Sequence, residues 1–519
     1  MSETDRLNPI LKADYPDPDV IRVGDTYYMI STTMYFMPGG VILRSYDLAH
    51  WEIVSYVFEQ LDGTPEQRLE GDGTSYGKGM WAPSLRYHNG RFYVAFVSHG
   101  REDTHLFVAD NICGPWEHRH INEYFHDCSI LFDDDGRSFI VSGNTNIRLT
   151  EMLPDLSAVK PGGIDRIIVR DNPNEVNLGY EGAHFYKIKG RYVLTLIHWP
   201  KYNSRRTEAV FTCDTVDGEY RGGDVMWDDM GYHNMGVAQG GLVDTPDGLW
   251  YAILFQDSGA VGRVPVLMPV TITESDEGLN FEFGDKGIIP VNPKLYPTRE
   301  NYSYEPLYTS RMFRDGKPMP QWQFNHVPDN SLWRAVGDDK YCIKTNSICV
   351  NPVHAKNTLT QRMMMPGCSA EITVDCSGLR GGDIAGLIAL QGRYCMLGIT
   401  KEDNRYYLIR LARTHVEKPY SIGFPDNEPG EVQEKIMLPS PVAKLKITAD
   451  FYDMHDSLDT FCDFGEGWKK IGEEHKLGFG LDHFTGARFG LCMFSTLEYG
   501  GEAVFSGFSY NVSCQNENA

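Results

Sequence analysis

Four things are scarce or missing in this 519-residue chain, and each removes a class of protein. It has no cluster of lysine or arginine: 48 basic residues stand against 71 acidic ones, for a formal net charge of −23. Such a surface repels nucleic acid and anionic membranes, so neither is expected as a partner and a neutral or cationic ligand fits better. No stretch approaches the ~18 uninterrupted apolar residues of a membrane-spanning helix. The opening MSETDRLNPILKADYPDPD lacks the basic start and apolar core of a secretory signal, so a cytoplasmic protein is expected. The 11 cysteines are odd in number and include no C-x-x-C pair, and no histidines are read as clustering at metal-ligand spacing. Reduced structural thiols, no metal and no cofactor are the expectation. Long amphipathic helical patterns with caps are the fourth absence, which leaves strands bounded by Gly, Asp, Asn and Pro over nearly the whole length.

What fills the first half is a repeat. VGDTYYMI around Gly24, YHNGRFYVAF around Gly90, FDDDGRSFIVSG around Gly136, YKIKGRYVLTLI around Gly190 and DTPDGLWYAIL around Gly248 each set a turn glycine before an aromatic-rich alternating run. Each predicts one β-hairpin. The glycines recur every 46 to 66 residues, too far apart for a solenoid coil and suited to four-stranded blades with variable loops. Five repeats predict a five-bladed β-propeller over residues 1–300. VNPKLYPTRENYSYEPLY, proline- and tyrosine-rich and without period, marks the junction, with a linker over 301–320. From residue 321 to 519, SLWRAV, YCIKTN, CSAEITVDC, IAGLIALQGRYCMLGIT, NRYYLIRLAR, AKLKITADFY and GARFGLCMFS read as strands at sandwich-like spacing. The fold class is therefore all-β: a propeller followed by a β-sandwich accessory domain.

The residues just before the hairpins point to chemistry. Nine positions upstream of the turn glycine lie Trp81, Asp127, Glu181 and Gln239, and seven upstream of Gly24 lies Asp17. In a propeller the first strand of every blade lines the axis, so equivalent positions converge on one funnel and three carboxylates meet there. Singly, each acid could cap a turn, since Asp favours such sites. Together, like charges at close range hold one carboxyl protonated near neutral pH while another stays ionised, which is the pair that glycoside hydrolysis uses.

With these motifs in order, NPILKADYPDPDVIRVGDTYYMISTT, MWAPSLRYHNGRFYVAF, HDCSILFDDDG, GYEGAHFYKIKGRYVLT, QGGLVDTPDGLWYAILF and GAVGRVPVLMPV, the first ~290 residues resemble glycoside hydrolase family 43, the five-bladed β-xylosidases and α-L-arabinofuranosidases. PQWQFNHVPDNSLWRA and IAGLIALQGRYCMLGIT resemble the concanavalin-like β-sandwich of its β-xylosidase branch. The resemblance implies that Asp17 in Y-P-D-P is the general base that activates water, that Glu181 in G-Y-E-G is the general acid, and that Asp127 in H-D-C-S is the third carboxylate, which orients the acid and keeps it protonated. It implies inversion at the anomeric carbon, which places the carboxyl groups of Asp17 and Glu181 about 6.5 to 9.5 Å apart. Arg263 in V-G-R-V matches a family arginine near the sugar hydroxyls, and Trp81 would wall the sugar ring. His88, His126 and His184 are read as loop or core histidines.

Two positions depart from the family pattern. Gln239 stands where many members carry a histidine, in some beside a central metal ion; glutamine is a poor metal ligand, so no essential cation is expected. In TTMYFMPGG, Met34, with Phe36 close by, stands where an aromatic residue often lines the sugar site. The expected function is an exo-acting hydrolase that releases terminal β-D-xylose from short xylo-oligosaccharides, with self-association left open. The alternatives are an α-L-arabinofuranosidase acting on arabinose-decorated oligosaccharides and a non-catalytic carbohydrate-binding propeller. The last predicts a missing acid, and none is missing. A serine or cysteine hydrolase is set aside because no G-x-S-x-G elbow is read, as is a protein-interaction propeller, whose recurring G-H and W-D signatures are not found.

Overall fold

The computed structural model describes residues 6–275, 278–423 and 426–513. Among these residues regular structure is β-strand with a few single turns of 3-10 helix, and no helix is long and apolar enough to cross a membrane.

Five antiparallel blades follow one another along the chain, each with four strands in sequence order, and in the second blade the two-residue strand Gly79–Met80 also pairs with Arg91–His99. Their innermost strands are Asp19–Val23, Ser84–His88, Ser129–Phe132, Val176–Ile188 and Val237–Asp244. Each pairs with the next strand across the predicted turn: Val23 with Thr26, His88 with Arg91, Phe132 with Ser138, Ile188 with Arg191 and Asp244 with Trp250. All five turn glycines have φ between 65° and 85°, the left-handed region where a side chain is strained. The inner strands are stitched by buried polar contacts. Asp19 accepts from the Leu85 N–H at 2.7 Å and from Arg86 at 2.6 Å, and Arg86 goes on to the Ile130 carbonyl and Ser129 Oγ. Gly241 N–H donates to the Pro18 carbonyl, joining the fifth blade to the segment that leads into the first.

The remaining strands form two sheets of eight, packed face to face over a core that includes Ile372, Val374, Leu387, Leu397, Leu445 and Phe505. One sheet carries a strand from the propeller: Phe36–Met37 leaves the first blade and pairs with Gln323–Asn325, with Met37 opposite Phe324 and Phe36 opposite Asn325. The seam is tied further by Asp14, whose two carboxylate oxygens accept from the backbone N–H groups of Arg263 and Gly486, both at 2.9 Å. The tyrosine-rich segment read as a linker is pinned rather than free. Tyr302 OH donates to Glu52 Oε1 at 2.7 Å, Tyr304 OH accepts from Tyr46 N–H, and Phe313–Arg314 pairs with Lys317–Pro318 as a short hairpin.

Candidate active site

A cavity of about 620 Å³ opens at the axis, and Asp17, Asp127, Glu181, Trp81, Gln239, Arg263 and Met34 all line it. Backbone geometry explains how repeat-equivalent side chains reach it. Asp17, Asp127 and Gln239 have φ of 51°, 47° and 58°, and Met34 has 52°, so these non-glycine residues of the lining hold left-handed conformations, as do Met454 and Phe484. Such strain persists only where the surroundings over-determine it. At Gln239 the strand pairing shifts register, and it shifts on both sides of Glu181 as well. A bulge of this kind re-aims a side chain, here toward the axis. In the fourth blade Gly182 takes the positive φ instead, at 61°, and a Cβ there would lie 2.6 Å from Gln239 Cδ.

The three carboxylates have different surroundings. Asp17 is buried and accepts from Arg263 Nη1 at 2.8 Å. Burial raises its pKa above the ordinary value, and the Arg263 guanidinium works against that rise. Asp127 is buried and accepts from Gly182 N–H at 3.1 Å. Its pKa is raised first by burial, with the charges of Glu181 and Asp17 adding to the rise and His126 opposing it. Glu181 is half-buried and accepts from Asn144 Nδ2 at 2.5 Å. His126 Nε2 lies 3.8 Å from Asp127 and 3.6 Å from Glu181, and the negative charge of Asp127 is the main cause of its raised pKa. Arg263 is anchored on Asp17 with its guanidinium over the Phe484 ring, while its Nε and Nη2 find no partner among the described residues.

Several readings from sequence are corrected. Phe36 does not line the cavity: its place in the strand pair with the sandwich turns the ring into the seam, 1% exposed, beneath the Arg488 guanidinium at 3.5 Å. His126, read as a loop or core residue, forms part of the cavity wall, whereas His184 is buried against Gly182 O and His88 stacks on Phe132. The run Gly73-Thr74-Ser75-Tyr76-Gly77 does have the spacing of a nucleophile elbow, yet Ser75 sits in a loop, with its backbone N–H donating to His326 Nε2 and no helix following. Asn144, Arg206 and Asp257 were not anticipated. Arg206 Nε donates to Asp257 Oδ2 at 2.5 Å, and both residues line the cavity. They come from the second and third strands of blades, or the loops that join them, where the repeat offset carries no signal. Phe479, Leu481 and Phe484 were not anticipated either, because they belong to the sandwich. The ring of Phe484 meets Trp81 edge-on at 5.8 Å, so the two domains close one aromatic wall.

The fifth-blade position that carries a histidine in part of the family holds Gln239, whose amide packs over Gly182. Side-chain atoms of His126, Asp127 and Glu181 lie within 4.8 Å of one another, near enough to hold a cation. A cation there would occupy the carboxylates that proton transfer needs.

A propeller whose axis gathers three acids, an arginine and aromatic walls is built to cleave glycosidic bonds, and the protein is a glycoside hydrolase. Residues 6–277 match the model of glycosyl hydrolases family 43, and the chain belongs to that family. Residues 310–511 match the beta xylosidase C-terminal concanavalin A-like domain. Among similar proteins, a beta-xylosidase of Formosa agariphila is 25% identical over 567 residues, covering 97% of this chain and 90% of its own. A non-reducing end alpha-L-arabinofuranosidase of Bacteroides ovatus is 30% identical over 191 residues, covering 36% of this chain and 35% of its own. The solved structure of a bifunctional GH43-CE protein of Bacteroides eggerthii superposes with a TM-score of 0.85 at 34% identity over 98% of this chain, which spans 64% of that protein.

Proposed function

We propose that the protein is an exo-acting, inverting β-xylosidase that removes one terminal β-D-xylose from short xylo-oligosaccharides. The observation that carries this reading is the unlike environment of two acids in one funnel. Asp17, fixed by Arg263, serves as the base that takes a proton from water as it attacks the anomeric carbon. Glu181, held by Asn144, gives its proton to the leaving oxygen. Asp127, which accepts from Gly182 N–H, adds negative charge beside the acid. Trp81 and Phe484 supply apolar faces for the sugar, and Arg263 lines the same cavity. A relative named beta-xylosidase and matched along 97% of the chain supports xylose.

The second reading is α-L-arabinofuranosidase activity. Met34 favours it, because a flexible thioether in the cavity wall accommodates a furanose as readily as a pyranose. Both readings share the acids. We also propose a reducing, cytoplasmic setting, supported by the ten described cysteines, all free thiols.

The test is hydrolysis of p-nitrophenyl β-D-xylopyranoside and α-L-arabinofuranoside by wild type and Asp17→Ala, with NMR of the first-formed anomer. The larger kcat/KM is expected for the xyloside, the product is expected to appear with inverted configuration, and the variant is expected to lose activity. A product that retains configuration removes Asp17 from the role of base.

A further inference from the structure

The second blade carries three histidines on one face of its two outer strands. In Thr104–Ala109 and Glu117–Ile121, His105 is registered opposite His120 and Phe107 opposite His118. The period of two along each strand therefore sets all three imidazoles on the same side. The pattern H-R-H at 118–120 is visible in the sequence, but only strand pairing adds His105 to it. One ring nitrogen of each lies within 4.8 Å of the others, and His105 Nδ1 and His118 Nε2 are 2.9 Å apart, so at least one of these two nitrogens offers a lone pair.

The surroundings resemble a built site more than a chance packing of rings. His105 is fully buried, stacked on Phe96, with its Nε2 3.1 Å from Ser98 Oγ. His118 lies parallel to Phe107 at 4.2 Å. Asp103 Oδ2 is 3.0 Å from His120 Nδ1, which leaves the other nitrogen of that ring for a ligand. A carboxylate on the far nitrogen is how metal-binding imidazoles are commonly oriented. Asp62 Oδ2, from the loop after the first blade, is 3.8 Å from His105 Nε2 and has no hydrogen-bond partner among the described residues. Arg101 faces the same cluster and pairs with Asp62 Oδ1 at 3.1 Å and Asp103 Oδ2 at 2.6 Å, so the acids' charge is already countered.

We propose that His105, His118 and His120 form a three-histidine binding site for a divalent cation of the zinc class, with the fourth position taken by water. Imidazole donors in a compact set select zinc, and cobalt as its stand-in, over magnesium or calcium, which require oxygen shells. Tetrahedral bonds of about 2.0–2.1 Å put ligand atoms roughly 3.3–3.4 Å apart, so His105 and His118 open slightly and His120 closes in. His118 and His120 are exposed on the outermost strand and have room to move. Because Arg101 offsets the carboxylates, the cation is held chiefly by three neutral rings, which sets moderate rather than extreme affinity. Bound there, it clips the two outer strands of the second blade to each other.

The test uses the untagged full-length protein stripped with a chelator and dialysed against micromolar Zn²⁺ or Co²⁺. About one equivalent of metal above that retained by the double variant His118→Gln/His120→Gln is expected, with the absorption of tetrahedral Co²⁺ and a zinc-dependent rise in Tm of a few degrees. The variant is expected to keep wild-type kcat and to lose the absorption and the Tm rise. The single variant His118→Gln, one ring fewer on an exposed position, should weaken Co²⁺ binding at least tenfold and guards against a misfolded double variant. Equal metal in wild type and variants would assign it to the funnel group of His126, Asp127 and Glu181 or to the surface, and overturns the proposal. So does an empty wild type.

Discussion

At the scale of single residues, the funnel works by giving like groups unlike neighbours. Asp17 is buried yet paired with Arg263, and its pKa remains above the ordinary carboxylate value because burial outweighs the cation. A base must be ionised, so the acidic limb of the kcat/KM profile should lie above the range of a free aspartate. Arg263→Met removes the group that favours the ionised form; beyond lowering kcat/KM, it should move that limb to higher pH. A limb that stays in place would mean that another group titrates there. Glu181→Gln should cost at least 100-fold on natural glycosides, the usual scale of general-acid help, and much less on aryl glycosides whose leaving group needs no proton. Equal losses on both substrates would take the proton donor away from Glu181.

At the scale of the element, the inner strands of the fourth and fifth blades deliver their side chains through a shift in register. The fifth blade shows what the irregularity rests on: the Gln239 N–H, freed from the ladder by the bulge, donates to Glu208 Oε2 at 2.9 Å, and Glu208 is 1% exposed. Burial pushes the Glu208 carboxyl up to about 8. The folded state therefore keeps a proton that the unfolded chain releases above about 4.5, and stability falls as pH rises from there through 8. Glu208→Gln keeps an acceptor for Gln239 and removes the titration. Its Tm relative to wild type should climb between pH 4.5 and 8 and level off beyond; a difference constant with pH would show that Glu208 does not titrate in that window.

At the scale of the whole molecule, the two domains share a site. The sandwich takes the strand Phe36–Met37 from the first blade and returns the loop that bears Phe479 and Phe484 to the funnel mouth. Gly486, two residues on, is pressed against the propeller, where a Cβ would lie 2.1 Å from the Val261 carbonyl, so the loop is held rigidly. Phe484→Ala should raise KM by about tenfold, the equivalent of 1.4 kcal/mol of lost ring contact, with kcat less affected because no reacting atom is touched. An unchanged KM would confine the sandwich to a supporting role.

What could be read from the chain alone was whatever repeats locally. Hairpin turns need glycine at positive φ before a strand of period two, so five blades and the ring positions Asp17, Trp81, Asp127, Glu181 and Gln239 stood out by spacing. The sandwich strands were legible for the same reason, apart from edge strands such as Glu431–Leu438, whose exposed charges interrupt any apolar alternation. Tertiary structure alone decided what non-repeating residues do. It turned Phe36 into the seam because that segment finds its hydrogen-bond partner in the other domain. It set Asn144, His126 and Phe484 beside the acids, and joined His105 to His118 and His120. Contacts between residues tens or hundreds of positions apart are fixed by strand pairing and blade closure, and those leave no period in the sequence to be read.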